Sequence, residues 1–277
     1  RDFTEYCTGE DESPKFGFNV DSSAAVNFNL TNYNGGNWYE SPSGIMETQG
    51  DYRIKMVRLF ASDCPGSVCW RDVIDYCVKN EIYVFLGIYV RQQGGTDGVQ
   101  SIKNRIDTLS EMYKANREKF DKYVIAISVG NECEPDGDNC NRNIKEGISY
   151  CRDLISQQSL PDVLLTTTLN NTRLISDNPD YLRADVIKLL TEKDDKGRDY
   201  LDFISFNPYP YWAGVSIDDA IETFMGMISK TRKALAARPE YGDAKEKQLW
   251  VAETGWEHGS RGSIRDLKTY YRKIIEL

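Results

Sequence analysis

The chain of 277 residues contains a single histidine, His258. Ser-His-Asp and Cys-His nucleophilic arrangements therefore have one candidate base. That base lies in the polar run Glu257-His258-Gly259-Ser260, where a solvated loop side chain is the simpler reading. There is no His-Glu-x-x-His pair, no phosphate-binding P-loop and no Gly-x-Gly-x-x-Gly. The usual zinc-protease, nucleotide and dinucleotide sites are thereby removed. Cys64 and Cys69 have too few companion ligands for a zinc site. No metal and no cofactor are expected. Nothing approaches 18 consecutive apolar residues, so no membrane span is expected either. Basic side chains are in deficit, 34 against 43 acidic, for a formal charge of −9. Such a chain repels phosphates and is a poor partner for nucleic acid. No internal repeat, linker or low-complexity segment stands out.

The length suits one large domain with an ample core, and residues 1–277 are read as a single domain, expected to be a monomer. The chain begins at Arg1 without Met or a signal-like apolar stretch, which suits a processed or trimmed protein. Seven cysteines bear on the compartment. Cys64 and Cys69 flank Pro65-Gly66, and Cys133 and Cys140 flank a polar loop; both spacings allow small disulfide loops. Cys77 and Cys151 lie on apolar helical stripes and read as core thiols. Cys7 could pair with any of them, connectivity is not readable from spacing, and one of the seven stays unpaired within the chain. Asn29-Leu30-Thr31 and Asn170-Asn171-Thr172 are glycosylation sequons. Together these features favour a secreted protein.

Strand-like and helix-like runs alternate. Strands are expected at 16–21, 54–60, 82–90, 124–129, 163–169, 201–206 and 248–252. Helices are expected at 70–79, 101–122, 141–157, 181–191, 217–237 and 263–276. The alternation argues for a parallel sheet. Ile82 to Val90 is nearly all apolar, as a strand covered on both faces should be. The pattern is that of an α/β (β/α)8 TIM barrel, with the eighth strand not evident in this chain. Either the chain is shortened or an unusual segment closes the barrel. A doubly wound open sheet is the alternative, but it would gather its polar residues at one switch point. Here they crowd several strand ends: Asp63, Asn131, Glu132, Asn170, Asn207, Tyr209, Glu253 and Trp256.

Two of those residues carry the chemistry. Ile127-Ser128-Val129-Gly130-Asn131-Glu132 and Leu249-Trp250-Val251-Ala252-Glu253 are apolar runs that each end in a glutamate. Carboxylates at the carboxyl ends of two barrel strands meet at one mouth. A retaining glycosidase needs such a pair: a protonated acid for the leaving oxygen and an ionised nucleophile about 5–5.5 Å away. An Asn beside the acid, here Asn131, can bond the sugar 2-hydroxyl. Spacing alone does not say which glutamate plays which role. A lone glutamate after a strand is more often a loop carboxylate or a helix cap.

Four motifs narrow the choice. Val129-Gly130-Asn131-Glu132, Ala252-Glu253-Thr254-Gly255-Trp256 and Asn207-Pro208-Tyr209-Pro210-Tyr211-Trp212 resemble signatures of glycoside hydrolase family 17. Val57-Arg58-Leu59-Phe60-Ala61-Ser62-Asp63-Cys64 resembles strand two of its fungal cell-wall members. The resemblance implies a (β/α)8 barrel, retaining chemistry and β-1,3-glucan as substrate. It maps the acid/base onto Glu132 and the nucleophile onto Glu253. It also maps a tyrosine that hydrogen-bonds the nucleophile onto Tyr209, and the 2-hydroxyl contact onto Asn131. Two departures accompany it. The family's eighth strand has no match, and the run 188–200 is too short for the extra subdomain that plant members carry near strand six. A more open groove follows.

Aromatic residues near strand ends are candidates for stacking on sugar faces: Tyr33, Trp38, Tyr89, Tyr209, Tyr211, Trp212 and Trp256. Tyr209, Trp212 and Trp256 adjoin the signatures and are favoured, with Asn207 beside them. Asp63 either binds a sugar hydroxyl or caps its loop. The reading is a secreted, cell-wall β-1,3-glucan enzyme inclined to glucanosyl transfer. A plain endo-β-1,3-glucanase and a catalytically silent glucan-binding barrel are the alternatives.

Overall fold

In a computed structural model the described residues are 17–20, 56–59, 77, 83–88, 90, 98–133, 138–176, 178, 181–257, 263–275 and 277. Asp63, Tyr33, Trp38, Tyr89, His258, Cys7, Cys64, Cys69 and the Asn29 sequon lie outside what is described, as does nearly all of the helix expected at 70–79. The chain divides into two compact units. One comprises 1–89, 99–128 and 150–164; the other comprises 90–98, 129–149 and 165–277.

In the first unit, β1 (Gly17–Val20), β2 (Met56–Leu59) and β3 (Tyr83–Ile88) pair in parallel and in chain order. Residues Val84 to Ile88 are buried without interruption, as the apolar run predicts. Arg58 is buried on β2, with its guanidinium 5.5 Å from the centre of the Phe85 ring. Helix α1 (Gly98–Ala115) buries Ile102, Ile106, Leu109, Met112 and Tyr113, a stripe of helical period.

The single helix expected over 101–122 is two helices. Asn116 leaves the helical region at φ −143°, ψ 45°, and α2 (Arg117–Tyr123) starts after it. Asn competes with the helix through its own side-chain amide, so it breaks a helix at low cost. The bend lets Phe120 bury edge-on against Tyr113, at 5.9 Å between ring centres.

In the second unit, β5 (Leu164–Asn170), β6 (Ile204–Asn207) and β7 (Leu249–Val251) are again parallel and in chain order. The end of β4 (Val124–Asn131) runs into this unit, as does the start of α3 (Asp138–Ser156). Polar residues inside these strands are bonded: Thr168 Oγ1 meets Ser205 Oγ at 3.0 Å, and Thr166 Oγ1 donates to the Phe203 carbonyl at 2.8 Å. Val251 on β7 is 39% exposed. No strand beyond β7 occurs among the described residues, in line with the seven-strand reading.

Helices α1 and α3 begin three residues earlier than expected, and three further helices depart from expectation. A short α4 (Asn171–Leu174) follows β5 directly, capped by Asn170 Oδ1, which accepts from the Thr172 amide at 2.9 Å. Helix α5 (Ala184–Thr191) starts three residues late, because Leu182 is committed to an antiparallel bridge with Ile175. Helix α6 (Ala220–Ala236) starts late because Ser216 and Asp219 bond each other in a preceding turn, at 2.7 Å. A kinked 3₁₀ segment, Pro239–Glu246, was not expected; Gly242 at φ 54° makes the kink. Helix α7 (Ile264–Ile275) closes the described chain almost where the periodicity puts it.

The short run before β6 folds into a tight turn. Lys193 and Asp199 bridge antiparallel around Gly197, and Arg198 Nε donates to Asp194 Oδ2 at 2.6 Å. Lys247 Nζ donates to Asp199 Oδ2 at 3.0 Å, tying the turn to the segment before β7. Cys77 and Cys151 are free and buried, as core thiols should be, and burial pushes both thiols up to about 12. Cys133 is disulfide-bonded.

Candidate active site

The site residues gather in the second unit, at the carboxyl ends of β4, β6 and β7. The first turn to consider is Gly130-Asn131-Glu132. Gly130 has φ +90°, and a Cβ there would stand 3.2 Å from Thr167 Oγ1, so only glycine fits. Glu132 itself has φ +49°. A non-glycine residue there costs about 1–3 kcal/mol and persists only where its surroundings hold it. Here the Glu132 amide donates to the Thr168 carbonyl at 2.8 Å, which fixes the turn against β5. The turn aims the Glu132 carboxylate at β6. Asn207 Nδ2 donates to Glu132 Oε1 at 2.8 Å and lies 3.4 Å from Asn131 Oδ1. Asn207 is only 2% exposed, and its Oδ1 has no partner among the described residues.

The second carboxylate has a partner from the same stretch. Tyr209 donates its hydroxyl to Glu253 Oε2 at 2.7 Å. Burial pushes the Tyr209 phenol far above its ordinary value of 10.0, and the charge of Glu253, its hydrogen bond, Tyr271 and Glu132 push it further. Tyr209 therefore remains a neutral donor at any working pH. The charges of both Glu132 and Glu253, 121 residues apart in sequence, act on this phenol, though only Glu253 bonds it.

The loop carrying Glu253 is pinned from beneath. Thr254 Oγ1 donates to the Pro208 carbonyl at 2.6 Å and meets the Tyr270 hydroxyl of α7. Tyr270 is fully buried, and burial raises its phenol well above the ordinary range. Neither Thr254 nor Tyr270 is distinguished by sequence pattern as a site-supporting residue. Tyr270 reads only as one more apolar position on the helix stripe.

Aromatic rings form a continuous series beside the carboxylates. Trp212 packs edge-on against Tyr211 at 4.9 Å, and Tyr211 packs edge-on against Trp256 at 5.4 Å. Trp256 lies 5.7 Å from Tyr270. The ends of the series differ: Trp212 is 68% exposed and Trp256 only 8%. Trp212 thus offers a ring face to solvent, whereas Trp256 supports its neighbours. The Tyr211 hydroxyl donates to Glu257, a third carboxylate that strand-end reasoning passes over. Among the described residues no cluster of His, Cys, Asp and Glu is arranged to hold a metal ion.

No protein-family model matches the chain. A protein of Aspergillus oryzae named as a probable glucan endo-1,3-β-glucosidase is 26% identical over 223 residues, spanning 73% of this chain and 42% of its own. A glycoside hydrolase family 17 β-1,3-glucanosyltransferase from Rhizomucor miehei superposes with a TM-score of 0.55 at 18% identity, over 92% of this chain and 79% of that one. An active-site mutant of the Rhizomucor miehei β-1,3-glucanosyltransferase, in complex with laminaritriose, gives a TM-score of 0.58, also at 18% identity. It covers 94% of this chain and 80% of that one. The likeness to glycoside hydrolase family 17 is borne out. The fold is accordingly the (β/α)8 barrel of such hydrolases, with the eighth strand not evident among the described residues. The chain spans less than half the length of the curated relatives it matches, 42% and 35%. No helix of the described residues is long and apolar enough to cross a membrane.

Proposed function

We propose that the chain is one catalytic domain that cleaves β-1,3-glucan with retention, through a covalent glycosyl-enzyme at Glu253. The observation that carries this is the pair of hydrogen bonds from one strand end: Asn207 to Glu132 and Tyr209 to Glu253. Each glutamate is held by its own donor, and the two donors are two residues apart.

In the first step the Glu253 carboxylate attacks the anomeric carbon. The bond to the leaving oxygen breaks, and Glu132 gives that oxygen its proton. In the second step the Glu132 carboxylate takes a proton from an acceptor hydroxyl. The acceptor oxygen bonds the anomeric carbon and Glu253 departs as a carboxylate. Water as acceptor gives hydrolysis; a second glucan gives transfer. The catalytic residues are the same in both. The outcome depends on whether an acceptor sugar outcompetes water.

The exposed Trp212 ring and the compact turn at 193–199 suit an open groove with room for an acceptor chain. They support glucanosyl transfer with some hydrolysis. Asn131 would bond the 2-hydroxyl of the reacting sugar, and Trp212 would stack on a neighbouring one. A disulfide at Cys133 suits a secreted protein, which we take to act at a cell wall as a monomer.

The test is incubation with a purified β-1,3-linked gluco-oligosaccharide of about five units, with products separated by size over time. Products longer than the substrate support transfer. Shorter products alone make the enzyme a plain endo-β-1,3-glucanase. Unchanged substrate that still binds moves the reading to a silent glucan-binding barrel.

A further inference from the structure

One phenol beside the nucleophile has no part in the mechanism above. Tyr271 lies on α7, next to the buried Tyr270. The two rings pack edge-on at 6.0 Å, so they leave the helix in different directions. Tyr270 reaches Thr254. Tyr271 reaches Gly255, the next residue in the same loop: a Cβ on Gly255 would stand 3.3 Å from the Tyr271 hydroxyl and 3.3 Å from Tyr209 Cε1. Gly255 is buried and is bracketed by two phenols. The Tyr209 hydroxyl is already given to Glu253. Among the described residues the Tyr271 hydroxyl bonds to nothing. Burial, and then the charge of Glu253, hold the Tyr271 phenol above its ordinary value, so it too is a neutral donor beside the nucleophile.

This half-buried hydroxyl, without a protein partner among the described residues, is set against Gly255, two residues after Glu253, and is free to bond an arriving polar group. The reacting ring is the polar object that arrives there. We propose that Tyr271 hydrogen-bonds a hydroxyl of the glucosyl unit that becomes attached to Glu253, and so is a substrate-binding residue on the donor side. This rests on the assignment of Glu253 as nucleophile.

Tyr271→Phe removes the hydroxyl and keeps the ring. Steady-state kinetics on the β-1,3-linked oligosaccharide should show kcat/KM about five- to tenfold lower, as for one neutral hydrogen bond. The acidic limb of the pH–rate profile should not move, and the melting temperature should hold. Gly255→Ala is the second probe. Its methyl group crowds the Tyr271 hydroxyl, so it should also lower kcat/KM, and less so when combined with Tyr271→Phe. An unchanged kcat/KM in Tyr271→Phe overturns the inference. So does a shifted acidic limb with unchanged KM, which would make Tyr271 a partner of the Glu253 carboxylate instead. A wild-type chain inert on glucan sinks the parent reading, and this one with it.

Discussion

Replacing Tyr209 by Phe removes one atom and one hydrogen bond. The bond is 2.7 Å long, from a neutral phenol to a carboxylate oxygen of Glu253. Bonds to charged groups contribute about 1.5–3 kcal/mol. Glu253 is only half-buried, so solvent screens part of its charge and the lower half of that range applies. At about 1.4 kcal/mol per tenfold in rate, the loss corresponds to roughly a 10- to 40-fold fall in kcat. The ring itself remains beside Gly255, where an added Cβ would stand 3.3 Å from Tyr209 Cε1. The melting temperature should therefore change little while turnover falls. The measurement is kcat and KM on the β-1,3-linked oligosaccharide, with calorimetry of both proteins. A variant whose kcat stays within about threefold of wild type, with the same products, would refute the view that this bond orients the nucleophile.

Two other expectations are more direct. Glu253→Ala should abolish turnover and Glu132→Gln should nearly do so; more than about a tenth of the wild-type rate in either contradicts their roles. Stability should fall on the alkaline side. Tyr209, Tyr270 and Tyr271 are raised above the ordinary 10.0 in the folded chain chiefly by burial, and Tyr150 is pushed up to about 12 chiefly by its bond to Asp107. Above about pH 10 the unfolded tyrosines release protons that the folded ones keep, so the folded state binds more protons and loses stability as pH rises. The contribution of these groups is fully present below pH 10, and a melting temperature that holds or climbs between about pH 10 and 11 would exclude it.

The parts of the fold carried by burial were legible, because apolar periodicity reports which face a residue turns inward. β3, β5 and the stripe of α1 lie within a residue or two of where the pattern puts them. What escaped was local competition. Asn116 could have stayed helical, and Leu182 could have joined α5; a bend and a bridge took them instead. The two candidate glutamates, Asn207 at the end of β6 and Tyr209 just beyond it stand out in the sequence because each lies at or near a strand end. Tyr271 was not, since it lies on a helix, and helical tyrosines are ordinarily packing residues. The left-handed backbone at Glu132 leaves no trace in composition at all.

The stretch Asn207-Pro208-Tyr209 has a consequence for how such an enzyme can change. Its first residue holds one glutamate and its third holds the other, with a ring-locked proline between them. Three residues of backbone thus act as a caliper set across the reactive gap. Loops around the groove can lengthen, shorten or be exchanged without resetting it. Inserting or deleting one residue inside the caliper would move one carboxylate's partner relative to the other's. Under the proposed function, substrate length and acceptor choice are set by what surrounds this segment, and the spacing of the two carboxylates' partners by the segment itself.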